Sequence, residues 1–462
     1  MPQLDPPTLL DRLHAAGTGA TFHLHGPGIR VPLAQLAGFS ALDADPGGLR
    51  SRCVLLLTQS PLEAAVGVVE LDGLARRFVL CPPGVAPEHL PAIAATAEVD
   101  AVVGDLDALP EGLAHLPRWR IHAAELSRSR PQRPAATATE WILLTSGTSG
   151  VPKLVVHTLE TLCGAIARAG PLAGPLVWST FYDIRRYGGL QILLRALVGG
   201  GSLVLSDPQE AIDGFLRRAA ALGVTHITGT PTHWRRALMD PVVHACRPQY
   251  VRMSGEIADQ AIIDRLQASF PQARVAHAYA STEAGVGFEV DDGREGFPSA
   301  LVGRDEGAVA LRVQDDTLRI RSARTALRYL GADAPALRDA DGFVDTGDVV
   351  QLRGDRYYFA GRRGGIINVG GLKVHPEEIE AVINRHPGVR MSLVKARRNP
   401  ITGSIVVAEV VPGGAPCPEA QLKAEILDIC RASLAPYKVP AMIRVVSGIE
   451  ITPSGKITRV EA

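Results

Sequence analysis

The chain has 462 residues, 46% hydrophobic and 21% charged, enough for one large domain and a smaller one, each with a core. Lys+Arg and Asp+Glu both number 48, so no overall field recruits nucleic acid or an anionic membrane, and neither is expected as a partner. The opening MPQLDPPTLLDRLHAAG lacks the basic-then-apolar order of a secretory leader, so a cytoplasmic protein is expected.

Cys53, Cys81, Cys163, Cys246, Cys417 and Cys430 show no short paired spacing, so buried thiols are expected rather than a zinc site or a disulfide framework. Lysine is scarce: Lys153 precedes only Lys373, Lys395, Lys423, Lys438 and Lys456, while arginine supplies the routine positive charge. A lysine in such a background marks a need for a compact, flexible point charge.

From about residue 52 to 250, RCVLLLT, RFVLCPP, VDAVVGD, EWILLT, GSLVLSD, THITGTP and YVRMSGE read as short strands. Between them, PLEAAVGVVELDGLA and QEAIDGFLRRAAALG carry helical apolar spacing, the rhythm of a layered α/β domain. GGLQILLRALVGGGSLVL, broken by Arg195 and glycines, predicts a buried helix running into a strand rather than a membrane span. Around 300–359, VALRVQ, TLRIRS and RYYFAG alternate as in a small antiparallel, barrel-like unit. After GRRGG, an EEIEAVINRHPGV helix and a VVAEVVPGG strand predict a compact α+β module. The expected architecture is α/β: a layered N-terminal domain, 1–361, with the barrel-like subdomain, and a small mobile α+β domain, 362–462, hinged near 361–365.

In WILLTSGTSGVPK, a strand leads into Thr145, Ser146, Gly147, Thr148, Ser149 and Gly150, followed by Lys153. Hydroxyls and close-approaching backbone amides suit a polyphosphate, and Lys153 adds charge. The Walker spacing fails, because Pro152 precedes Lys153 and Leu154 follows it, where that motif needs Gly and Ser/Thr. In YASTEAG, Tyr279 offers a ring for adenine, Thr282 a donor and Glu283 a hard oxygen ligand for Mg²⁺. Asp348 of VDTGD can accept from both ribose hydroxyls, and Lys456 of PSGKITR stands on a turn.

LLTSGTSGVPK, YASTEAG, VDTGD, GRRGGIINVGGLKVHPEEIE and PSGKITR, in this order across 141–459, resemble the adenylate-forming superfamily, which includes acyl-CoA synthetases and carrier-protein adenylation domains. The resemblance implies ATP-dependent activation of a small carboxylic acid as an acyl-adenylate, with Lys153 and its loop on pyrophosphate and Lys456 between the carboxylate and the α-phosphate. It further implies Thr282 on the α-phosphate, Glu283 on Mg²⁺, Asp348 and Arg362 on ribose, and Ser254, Gly255 and Glu256 lining the adenine pocket. Gly371 matches a position lining the path of a thiol, CoA or a phosphopantetheinylated carrier protein, after the small domain rotates.

The chain departs from the family pattern at Gly364, where Asp or Lys is usual, and at Asn368, where Lys is common. Greater hinge mobility is expected. Trimmed segments suggest a compact acyl pocket, and STFYDIRRYGGLQ lies where the acyl site forms. Should Arg185 or Arg186 face that pocket, the acid carries a second anionic or polar group. Free-standing CoA ligation is favoured over carrier loading, and both over a non-catalytic binding protein.

Overall fold

In the computed structural model, residues 7–15, 22–126, 128–129, 137–145, 152–166, 175–304, 307–369, 371–399, 403–413, 417–452 and 455–457 are described. Two mainly parallel sheets form the large domain. The first orders Arg328–Leu330, Lys153–His157, Glu140–Thr145, Arg77–Cys81, Cys53–Leu57, Ala101–Gly104 and Arg118–Arg120. The second orders Gly285–Val290, Arg274–Ser281, Tyr250–Ser254, His226–Gly229, Val177–Thr180, Ser202–Leu205, His23–His25 and Arg30–Pro32.

The strand runs are apolar on both faces because each sheet is covered twice. Leu56 and Phe78 of the first sheet and Leu203 and Leu205 of the second face one shared core, filled by the helices Pro61–Leu71 and Tyr187–Gly199. Leu55, Val79 and Ile142 face the outer core of the first sheet, and Val204, Val251 and Met253 that of the second. The Ser60 hydroxyl caps Pro61–Leu71 by accepting from Leu62 and Glu63 N–H, and Tyr187–Gly199 ends on Gly200 at φ +81°, where a side chain would strain the turn.

The barrel-like unit is a five-stranded antiparallel sheet ordered Phe297–Pro298, Arg356–Arg362, Val344–Arg353, Thr317–Ser322 and Val309–Gln314. The C-terminal module packs the helices Pro376–Ile383 and Glu419–Ser433 on a three-stranded sheet, Val389–Asn399, Gly403–Pro412 and Met442–Val445, with its own core. All six cysteines are free, five of them buried and Cys417 half-buried. Among the described residues, no helix is long and apolar enough to cross a membrane.

Candidate active site

Four neighbouring parallel strands of the second sheet end side by side, and the residues just beyond them form a crown: Tyr182, Thr230, Ser254 to Glu256, and Thr282 with Glu283. Carboxyl ends of parallel strands are where such sheets leave a crevice. The Thr282–Glu283 segment sits in a tight strand-to-strand turn rather than at a helix start. Gly285 closes that turn at φ +75°, packed so tightly on the Arg324 carbonyl that a Cβ would collide.

His157 holds this turn from beneath. It is fully buried, and its Nε2 donates to the Thr282 carbonyl at 2.7 Å while Nδ1 lies 2.9 Å from the Thr161 hydroxyl. Burial lowers its pKa to about 4, so the ring is neutral, and the carbonyl acceptor fixes the hydrogen on Nε2. The sequence reading missed His157, because its role depends on a contact 125 residues away.

Lys153 opens its strand in register with Thr145, so the ends of the 146–151 loop stand together; the expected contributions of Ser146, Gly147, Thr148, Ser149 and Gly150 lie outside the described residues. The Lys153 ammonium lies 5.2 Å from the Tyr329 ring centre, and the Tyr329 hydroxyl lies 3.4 Å from Glu283 Oε1. Lysine, ring and carboxylate thus form one row.

Tyr279 presents its phenol to Asp348 Oδ2 at 2.6 Å, and Arg362 Nε meets Asp348 Oδ1 at 3.0 Å. Each carboxylate oxygen has a second lone pair, so Asp348 can still accept from a diol. The Tyr279 ring runs nearly parallel to Phe288 and Phe359, with centroids 5.7 and 5.4 Å away, so it belongs to an aromatic row. Arg362 is pulled up in pKa, first by Asp348.

The C-terminal tail enters this cleft. The Thr230 hydroxyl donates to the Gly455 carbonyl at 2.8 Å, and Ile457 N–H donates to Glu256 Oε1 at 3.2 Å. Glu256 Oε2 also accepts from Thr232 N–H at 3.0 Å, so Glu256 acts as a clamp for the tail. Gly255, at φ +86°, leaves room for the Lys456 side chain. Lys456 keeps surface open to the cleft, yet the protein around its ammonium lowers its pKa by desolvation, with Glu256 and Asp348 opposing and Arg362 and Arg186 adding to the shift.

Gly371 stands elsewhere, exposed at φ +86° in the turn between Ile367–Val369 and Leu372–Val374. Gly364 lies in the 3₁₀ turn Arg363–Gly365 with open space around its Cα.

The arginines of the suspected acyl segment divide. Arg185 is fully buried, forked onto Asp183 and donating to the Thr58 and Gln59 carbonyls at 2.6 and 2.9 Å, so it braces the interior rather than facing a pocket. Arg186, beside it, carries a buried Nε with no partner among the described residues. Tyr182 locks the crown: its hydroxyl lies 2.5 and 2.8 Å from the Gly229 and Ser254 carbonyls and accepts from Ser254 N–H at 3.0 Å.

Residues 53–324 match the model of the AMP-binding enzyme family, and 378–456 that of the AMP-binding enzyme C-terminal domain. The chain belongs to the AMP-binding enzyme family. The adenylate-forming resemblance of the five motifs is thereby borne out. A sulfoacetate–CoA ligase of Cupriavidus necator is 30% identical over 384 residues, covering 77% of this AMP-binding enzyme and 71% of the ligase. A probable nonribosomal peptide synthetase of Salinispora arenicola is 26% identical over 455 residues; the match takes in 84% of this chain but only 6% of that much longer protein. The fold superposes on an anthranilate CoA ligase in complex with anthranoyl-AMP with a TM-score of 0.79 at 19% identity, over 98% of this chain and 96% of the other.

Proposed function

We propose that this AMP-binding enzyme activates a carboxylic acid with ATP as an acyl-adenylate and passes the acyl group to the thiol of CoA. The observation that carries the reading is Lys456, brought by the tail against Gly255 and within electrostatic reach of Asp348 and Arg362.

In the first half-reaction, a carboxylate oxygen attacks the α-phosphorus in line as the bond to the bridging oxygen breaks and pyrophosphate leaves with that electron pair. Lys456 neutralises charge gathering between the carboxylate and the α-phosphate, and the Thr282 hydroxyl donates to the same phosphate. Asp348 and Arg362 hold the ribose, Tyr279 borders the adenine, and Lys153 with its loop receives pyrophosphate. Glu283 suits Mg²⁺: it is a half-buried carboxylate, a hard oxygen donor, whose side-chain contact among the described residues is the long one to the Tyr329 hydroxyl. Mg²⁺ commonly takes one or two carboxylates with substrate phosphates supplying further oxygens, and bound there it would offset phosphate charge.

In the second half-reaction, a thiolate attacks the acyl carbonyl and AMP leaves. Rotation of residues 362–462 about 361–365 removes Lys456 and brings Gly371 toward the path of the thiol. A carrier protein is the second acceptor to consider, supported by the match to a peptide synthetase across most of this chain.

The test is pyrophosphate release across a panel of carboxylic acids, with Lys456→Ala as the blank. Release by the wild type alone is expected, and silence with every acid overturns the proposal. AMP formation with CoA, compared with a phosphopantetheinylated carrier, decides the acceptor.

A further inference from the structure

The strand Lys153–His157 begins at the lysine of the phosphate loop and ends at the imidazole beneath the Thr282–Glu283 turn. It is paired on both edges, with Glu140–Thr145 and with Arg328–Leu330, so its ends keep a fixed separation, about 13 Å at 3.3 Å per residue. Leu154 and Val156 face the outer core of the first sheet, so Lys153, Val155 and His157 share the opposite face. Strand alternation thus brings the imidazole to the same side as the lysine.

The turn is fastened from inside at three points. The Ser281 hydroxyl oxygen accepts from Ala284 N–H at 3.0 Å, Ala326 N–H donates to the Glu283 carbonyl at 3.0 Å, and His157 Nε2 donates to the Thr282 carbonyl at 2.7 Å. The first bond is local to the turn and the second lies on the Glu283 side, so the Thr282 peptide depends on the imidazole. That ring is itself held. Because Nε2 carries the hydrogen, Nδ1 accepts, and the Thr161 hydroxyl at 2.9 Å is its donor, sharing the hydrogen with the Thr158 carbonyl at 3.0 Å. Thr158 N–H in turn donates to the Thr161 hydroxyl oxygen at 3.1 Å, and the Tyr187 ring centre lies 5.6 Å from that of His157. Buried hydrogen bonds in series polarise one another, and a ring satisfied at both nitrogens has one orientation.

We propose that His157 is a positioning residue for adenylation: it fixes the Thr282 peptide, and with it the hydroxyl that donates to the α-phosphate, at a set distance from Lys153. Resting on the proposed acid activation, this adds a residue that touches neither substrate nor nucleotide. His157 acts through placement alone, so its effect belongs to the transition state, where a donor shifted by a fraction of an ångström loses its strength.

The experiment measures pyrophosphate release by His157→Phe, His157→Gln, Thr282→Val and the double variant His157→Phe/Thr282→Val. His157→Phe should lower kcat about 10- to 100-fold, the scale of a displaced donor, with KM for the acid kept. His157→Gln, whose amide N–H reaches the same carbonyl, should recover most of the loss. In the Thr282→Val background, where the hydroxyl is already gone, His157→Phe should cost little more; a residue that only supports the fold would cost the same in both backgrounds. No loss in His157→Phe, an equal loss in His157→Gln, or additive losses in the double variant overturn the inference while leaving acid activation standing. Silence of the wild type with every acid overturns both. Should His157→Phe fail to fold, Thr161→Val decides, since it frees Nδ1 to take the hydrogen: a lower kcat that His157→Gln restores in the same background supports the inference, and any other result overturns it.

Discussion

The Gly455 carbonyl accepts the hydroxyl proton of Thr230 at 2.8 Å, a buried bond spanning 225 residues that fixes where Lys456 stands. Gly455 is at φ +74°, and a Cβ there would run into the His233 ring. Gly455→Ala should therefore lower adenylation about 100-fold, the scale of a misplaced charge donor in a transition state. Thr230→Val should cost about tenfold, the loss of one buried hydrogen bond. Pyrophosphate release measures both, while thioester formation from supplied acyl-adenylate should persist.

Much of this site is legible in the sequence because its parts are local. Glycine-rich turns, a Thr-Glu pair and isolated lysines keep their chemistry wherever the chain puts them, and apolar runs of four to six residues mark some of the strands of each sheet. What resisted reading depends on packing across distance. Arg185 was a pocket candidate, yet its fork is filled by Asp183 two residues earlier, a spacing visible in the sequence. The clamp that Glu256 makes on the tail joins residues 201 apart, which no local spacing announces.

The two lysines should separate by step. Lys153 is exposed beside Tyr329, whereas Lys456 lies within the cleft. Lys153→Ala should raise KM for ATP by about 10-fold through a lost charge-assisted contact, with acid binding retained. Lys456→Ala should cut kcat for pyrophosphate release by about 100-fold or more. Equal effects on KM and kcat from both variants would contradict this division.

His157 predicts a pH dependence of stability. Its folded pKa of about 4 lies below the unfolded value near 6.5, so the unfolded state binds the extra proton between them. Stability from this group is therefore full above about pH 6.5 and falls as pH drops toward 4. Glu63 acts in the opposite direction: burial raises it to about 7, so its contribution is full below its unfolded pKa and fades as pH rises through 7. Comparing wild type with His157→Phe cancels the Glu63 contribution. Denaturant titration from pH 7 to 5 should show the wild type losing about 1–2 kcal/mol more than the variant. Equal losses would show that the imidazole is charged in the folded protein.

Gly364 offers a test of the rotation proposed above for thiol transfer. Its 3₁₀ turn leaves space around the Cα, so the small domain is held here by contacts such as Asn384 Nδ2 to Asp259 Oδ2 at 3.4 Å and Arg265 to the Val389 carbonyl at 3.2 Å, rather than by a hinge side chain. Proline would fix φ near −65°, close to 3₁₀ values, and restrict Arg363 before it. Gly364→Pro should therefore leave most pyrophosphate release intact and slow thioester formation about tenfold or more, with conformational gating made rate-limiting. Gly364→Ala, which narrows φ/ψ without locking it, should fall between the two. Single-turnover kinetics resolve the steps, and a thioester rate in Gly364→Pro equal to that of the wild type would place the pivot elsewhere in 361–365.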